Sequence, residues 1–137
     1  MTDRRLDVFM YGLFMDGALL RDRKARPVNE RRAYVDDYAL RIGRRALLVP
    51  NPGARAYGVV FGLTHVDLDH LYSEAGLEDY RPEAVLAHVL DGGPTPALCY
   101  NLPEVPPPGD HNVEYAERLR GVLSELGFPE DYVASVV

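Results

Sequence analysis

Tyr57-Gly58-Val59-Val60-Phe61-Gly62-Leu63 alternates large side chains with small or aliphatic ones, which predicts a central strand of a strongly curved sheet. Its glycines leave one face without a Cβ, so another element can approach closely there. Working outward, the flanking chain reads mostly as strands. Leu6-Asp7-Val8-Phe9-Met10-Tyr11 is rich in β-favouring residues and stops at Gly12, a first strand running into a tight turn. Arg32-Ala33-Tyr34-Val35 and Tyr38-Ala39-Leu40-Arg41-Ile42, separated by Asp36-Asp37, predict two strands joined by a turn. Ala46-Leu47-Leu48-Val49 ends at Pro50-Asn51-Pro52-Gly53, where two prolines and a glycine predict a loop.

Downstream, Thr64 is placed to cap a short helix, with Asp67 in the capping-box position and Leu68, Leu71, Tyr72 and Ala75 at helical spacing. Ala84 to Val89 and Pro96 to Tyr100 flank Asp91-Gly92-Gly93-Pro94, a hairpin signature. Pro103 to Gly109 carries four prolines and reads as an ordered surface crossing, because the C-terminal segment beyond it is too short to fold alone. A last helix, Val113 to Leu126, presents Ala116, Leu119, Leu123 and Leu126 as an apolar stripe and is closed by Gly127 and Pro129. Two runs of strands around a short helix, without βαβ alternation, predict an α+β fold. The expected architecture is a small, mostly antiparallel β-barrel or curled sheet with a short central helix and a C-terminal helix, one domain over residues 1–137.

A chain of 137 residues that is 47% hydrophobic can bury one core without disulfide or metal staples. Its one cysteine, Cys99, excludes an intrachain disulfide, suits a reducing cytoplasm and reads as a buried packing thiol. The start MTDRRLDVFMYG lacks the apolar run of a signal peptide, and no later run has bilayer-spanning length. A net charge of −6 repels phosphate backbones. The local Arg and Lys concentration between Arg21 and Arg45 has no motif or aromatic interleaving beside it, and reads as a solvated face. The expectation is a cytoplasmic protein with neither nucleic acid nor membrane as partner.

Familiar catalytic patterns are missing from the sequence. His65, His70, His88 and His111 lack metal-ligand spacing, Ser73, Ser124 and Ser135 lie outside any GxSxG context, and there is no P-loop or GxGxxG. What remains is the turn Tyr11-Gly12-Leu13-Phe14-Met15-Asp16 at the end of the first strand. Such a turn can present successive backbone N–H groups to a carboxylate or carbonyl oxygen, and Gly12 removes the Cβ that would block the approach. The acidic cluster Glu74, Glu78, Asp79 and Glu83 follows the short helix. Within it Glu74 sits beside Leu71 and Ala75, at the edge of the apolar stripe. A carboxylate half withdrawn from water there holds a proton more readily, which suits accepting and returning one near neutrality.

Taken together these segments resemble the gamma-glutamylcyclotransferase-like family over nearly the whole chain. The resemblance runs from Val8-Phe9-Met10-Tyr11-Gly12-Leu13 through Arg32 to Leu40, Pro52-Gly53 and Tyr57 to Val60. It continues through Leu68-Asp69-His70-Leu71, Tyr80, Tyr100, Pro107 and Tyr115 to Leu126-Gly127-Phe128-Pro129-Glu130-Asp131-Tyr132-Val133. It implies a compact barrel-like α+β fold with a pocket, and release of 5-oxoproline from a small gamma-glutamyl compound without a cofactor. In that scheme a glutamate takes a proton from the substrate's α-amino group, which attacks the γ-carbonyl of the same molecule. The Tyr-Gly turn holds the substrate by its amides.

Carried over to this chain, the catalytic residue is Glu74, and Tyr11, Gly12, Leu13, Phe14, Tyr80, Tyr100 and Tyr115 bind substrate. Two features depart from the family pattern. Leu13 and Phe14 stand where Ser or Thr commonly follows Tyr-Gly, and an ungapped match of the family's Leu-Asp-x-x-Glu-Gly places its glutamate on Ala75. Glu74 is one position early, a rotation of about 100° on a regular helix. Glu78 and Glu83 are the substitute carboxylates. The competing readings are a non-catalytic small-molecule-binding module on the same fold and a protein-interaction domain using the Arg21 to Arg45 stretch.

Overall fold

Period-two alternation in two long segments builds the molecule. In the computed structural model, which describes residues 4–137, β2 (Val28–Ile42) and β3 (Ala46–Thr64) form one antiparallel pair. The opening residues 1–3, part of the start considered for a signal peptide, lie outside the described residues. β1 (Arg5–Met10) pairs antiparallel with β3, β4 (Arg81–Val89) pairs with β2, and β5 (Pro94–Asn101) pairs with β4. β5 then meets β1 in parallel, Val8 opposite Leu98, and closes a barrel in the order β1-β3-β2-β4-β5. Closure gives each of the five strands a neighbour on both sides over part of its length.

The stretch Tyr57 to Leu63 shows why the barrel closes. Its neighbour Ala56 and its own Val60 join Phe9, Ala33, Val35, Ala87 and Cys99 in one buried cluster, where several small side chains allow tight curvature. Val59, Phe61 and Leu63 belong to the other cluster. That second cluster includes Leu68 and Leu71 of α2 (His65–Tyr72) and Ala116, Leu119 and Leu123 of α3 (Val113–Glu125). Withdrawing each such large apolar side chain from water contributes ~1.5–3 kcal/mol. Gly58 serves the close approach expected of it, because a Cβ there would lie 2.3 Å from the Met10 carbonyl oxygen and 2.7 Å from the Phe9 ring.

Two expected breaks are not breaks. Asp36-Asp37 does not join two strands as a turn, and Pro50-Asn51-Pro52-Gly53 does not end one as a loop; both lie inside the long pair β2–β3. The register jumps from Asp36 opposite Arg55 to Tyr38 opposite Pro50. Asp37 (φ 66°) and Gly53 (φ 84°) both adopt left-handed backbone, and the Gly53 N–H donates to Asp37 Oδ1 at 3.0 Å. The two signals face each other as one bulge, beyond which pairing resumes.

The helical boundaries follow their caps. Thr64 Oγ1 accepts from the Asp67 N–H at 3.1 Å to start α2, and Gly127 at φ 78° follows the end of α3. Sequence periodicity missed α1 (Gly17–Asp22) and α4 (Glu130–Ser135), each too short to show it. Among the described residues no helix is long and apolar enough to cross a membrane.

Candidate functional site

Where β1 leaves the barrel, a cleft of about 250 Å³ opens between the turn after that strand, the end of α2 and the first turns of α3. Tyr11 is buried, Gly12 follows, and Leu13–Met15 coil into a single 3-10 turn. Gly12 has an ordinary φ of −104°, so it is needed for room rather than for backbone freedom: a Cβ there would lie 2.5 Å from Tyr115 Oη. That hydroxyl accepts the Leu13 N–H at 3.1 Å. An amide that the sequence offers to a ligand is thus held by a side chain of α3. Asn112 fixes this arrangement by capping α3 through the Tyr115 N–H (3.1 Å) while its Nδ2 donates to the Arg44 carbonyl (3.0 Å).

Tyrosines line the cleft. Tyr72 stacks on Tyr100 with ring centres 4.1 Å apart and planes 9° apart, meets Phe14 edge-on, and leans on Tyr80. Tyr80 Oη donates to the Ala46 carbonyl, and Tyr11 Oη lies 2.9 Å from the Tyr100 carbonyl and 3.2 Å from Asn101 Oδ1. Burial pushes the Tyr11, Tyr72 and Tyr80 phenols well above their ordinary pKa of 10.0. Tyr115 is also raised by burial, against the opposing pull of the Leu13 N–H and the Arg118 charge. At neutral pH these rings are uncharged. They supply apolar faces and hydroxyl groups, not bases.

Charge enters at the mouth. Glu74 follows the C-cap residue of α2, its side chain 41% exposed, and its Oε2 accepts from Arg23 Nε at 3.2 Å. Its nearest polar partner is therefore an arginine, and its shelter is less than the apolar stripe led us to expect. Glu74 nonetheless lines the cleft, as do Ala75, Arg23, Arg45 and Arg118, whereas Glu78 and Glu83 do not. Glu83 instead accepts from Asn101 Nδ2 at 2.9 Å. Among the described residues no three His, Cys, Asp or Glu side chains gather as a metal site would need.

The family model for gamma-glutamyl cyclotransferase, AIG2-like proteins matches residues 8–118. The chain belongs to this family. No curated protein matches it by sequence, but solved cyclotransferase-family structures share its fold. A gamma-glutamyl cyclotransferase structure superposes with a TM-score of 0.77 at 19% identity, covering 97% of this chain and 86% of that one. An uncharacterised human protein gives 0.75 at 19% identity, covering 98% and 87%. A yeast gamma-glutamyl cyclotransferase specific to glutathione gives 0.69 at 13% identity, covering 98% and 94%.

In this cyclotransferase-family chain the cleft brings together the eight residues for which the sequence raised a catalytic or binding role: Tyr11, Gly12, Leu13, Phe14, Glu74, Tyr80, Tyr100 and Tyr115. Besides apolar lining, it adds four polar or charged side chains that sequence reasoning missed, Tyr72, Arg23, Arg45 and Arg118. Tyr72 falls within the helical stripe, Arg23 and Arg45 fall within the basic stretch that reads as a solvated face, and Arg118 lies outside that stretch, in α3. Only Arg23 and Arg45 carried a signal, their place in the basic run from Arg21 to Arg45.

Proposed function

We propose that the cleft takes a gamma-glutamyl amine or peptide and closes its glutamyl part into 5-oxoproline, with Glu74 moving the proton. One observation carries this reading: among the described residues that line the cleft, Glu74 is the only carboxylate. The tyrosine hydroxyls stay protonated and arginine side chains are donors without an acceptor, so no other lining side chain can accept a proton near neutrality. In the proposed step the substrate's α-amino nitrogen attacks its own γ-carbonyl carbon. Its proton passes to Glu74 and on to the departing amine nitrogen as the old C–N bond breaks. No oxidation state changes, and tethering of nucleophile and carbonyl in one bound molecule lowers the barrier. Tyr115 Oη, already accepting from Leu13, keeps its own proton to offer to a substrate oxygen.

The test is 5-oxoproline release from a panel of gamma-glutamyl amines and peptides. Glu74→Gln is expected to lower the rate by ~10²–10⁴-fold with the melting temperature little changed. A panel that yields no product rejects the reaction. A second reading, a binding module without turnover, draws on the engagement of Glu74 by Arg23 at 3.2 Å. It predicts thermal stabilisation by a gamma-glutamyl compound without product.

A further inference from the structure

Arginines from three separate elements converge on the mouth of the cleft. Arg23 is the C-cap of α1, Arg45 stands directly before β3, and Arg118 lies in the second turn of α3. Arg23 is neutralised by Glu74. Arg45 and Arg118, among the described residues, make neither an ion pair nor a side-chain hydrogen bond. A chain of net charge −6 thus keeps two uncompensated guanidiniums beside its tyrosine-lined cleft.

The placement of Arg45 is built into the backbone. Gly76 has φ 91°, and a Cβ there would lie 2.5 Å from Arg45 Nη2. A side chain at position 76 would therefore be both strained and in the way. Arg45 packs across this glycine, between the turn that carries Glu74 and the phenol of Tyr80, whose ionisation it favours in opposition to burial. Arg118 acts in the same sense on Tyr115. Both guanidiniums are thus electrostatically close to the phenols inside the cleft while lying on its rim.

We propose that Arg45 and Arg118 select gamma-glutamyl compounds whose amine part carries a carboxylate, that is gamma-glutamyl amino acids and short peptides, over gamma-glutamyl amines that carry none. The inference rests on the reading of the cleft as a gamma-glutamyl site. A cleft of about 250 Å³ lies just below the ~300–1,000 Å³ of sites for drug-sized ligands, so a ligand of dipeptide size fills it. With its glutamyl part inside, the far end of such a ligand reaches the rim. A guanidinium binds a carboxylate there through charge-assisted, paired hydrogen bonds.

The test compares gamma-glutamyl-alanine with its C-terminal amide, which differ only in that charge, by kcat/KM and by calorimetric Kd. The protein is expected to prefer the acid by about tenfold or more, the worth of a charge-assisted hydrogen bond, and to lose preference as salt is raised. Arg118→Met, on an exposed helical position, and the Arg45→Met, Arg118→Met double variant are expected to bring the ratio toward one. Equal losses on both peptides with the ratio intact overturn the selection, because the arginines would then serve the glutamyl part or the fold. Turnover without any preference overturns it while leaving the proposed reaction standing. Preferential binding of the acid without turnover keeps the selection and removes the reaction, and absence of binding by either peptide removes both.

Discussion

Gly12 and Tyr115 have to be understood as a pair. The glycine leaves the space that the phenol oxygen fills, and the oxygen in turn holds the Leu13 N–H. Gly12→Ala drives a methyl group into that oxygen, and overpacking of this kind costs about 1–3 kcal/mol. Tyr115→Phe removes the oxygen and leaves the Leu13 amide without its partner, also at ~1–3 kcal/mol. Combined, the second change relieves the clash made by the first, so urea unfolding of the double variant should show less destabilisation than the sum of the singles. Strict additivity would mean that the contact at position 12 is not the one that matters. The same residues show why the site was only half legible. A Tyr-Gly turn after a strand is visible in sequence, but nothing in the sequence says that a hydroxyl on a distant helix will occupy the turn's amide.

At the scale of elements, one side chain stands in for a missing strand neighbour. Asn101, buried at the end of β5, donates from Nδ2 to the Leu48 carbonyl at 2.8 Å and to Glu83 at 2.9 Å. Its Oδ1 accepts from the Leu48 N–H at 2.9 Å and the Leu102 N–H at 3.0 Å. It thereby ties β3, β4 and β5 together behind the cleft. Asn101→Leu keeps the branched skeleton and orphans both backbone groups of Leu48, at an expected cost of about 2–4 kcal/mol. Native-state hydrogen exchange at the Leu48 amide should speed up more than exchange at Val60, in the buried middle of β3; uniform acceleration would point to global destabilisation instead. Strand identities were readable because they follow from period-two alternation, as in Tyr57 to Leu63, and the hairpin from Asp91-Gly92-Gly93-Pro94. Continuity was not readable. Asp36-Asp37 and Pro50 to Gly53 carry the residues of turns, and only their juxtaposition across the β2–β3 pair turns two apparent breaks into one bulge.

At the scale of the whole molecule, closing the barrel and covering it with helices buries phenols and a thiol together. Burial is the leading cause that raises Tyr11, Tyr72, Tyr80 and Cys99, and it lifts Tyr132 to about 12. All are acids that the fold holds in the neutral form, with ordinary values of 10.0 for the phenols and 9.0 for the thiol. Their folded values lie above their unfolded ones. The stability they contribute is therefore complete at neutral pH, begins to be lost above pH ~9–10, and goes on falling as pH rises through the folded values. Between the unfolded and folded values each group removes about 1.4 kcal/mol per pH unit, so the four phenols alone remove roughly 5 kcal/mol per unit. Against a typical domain stability of ~5–15 kcal/mol, a loss on that scale brings on cooperative unfolding in alkali, at pH values above ~10. Tyrosinate absorbance should rise in two stages, the exposed rings first and the buried set only as circular dichroism reports loss of the barrel. Complete ionisation of all the tyrosines near pH 10 with native circular dichroism would show that water reaches the phenols of the cleft, and that the uncharged tyrosine wall on which the assignment of proton transfer to Glu74 depends does not hold.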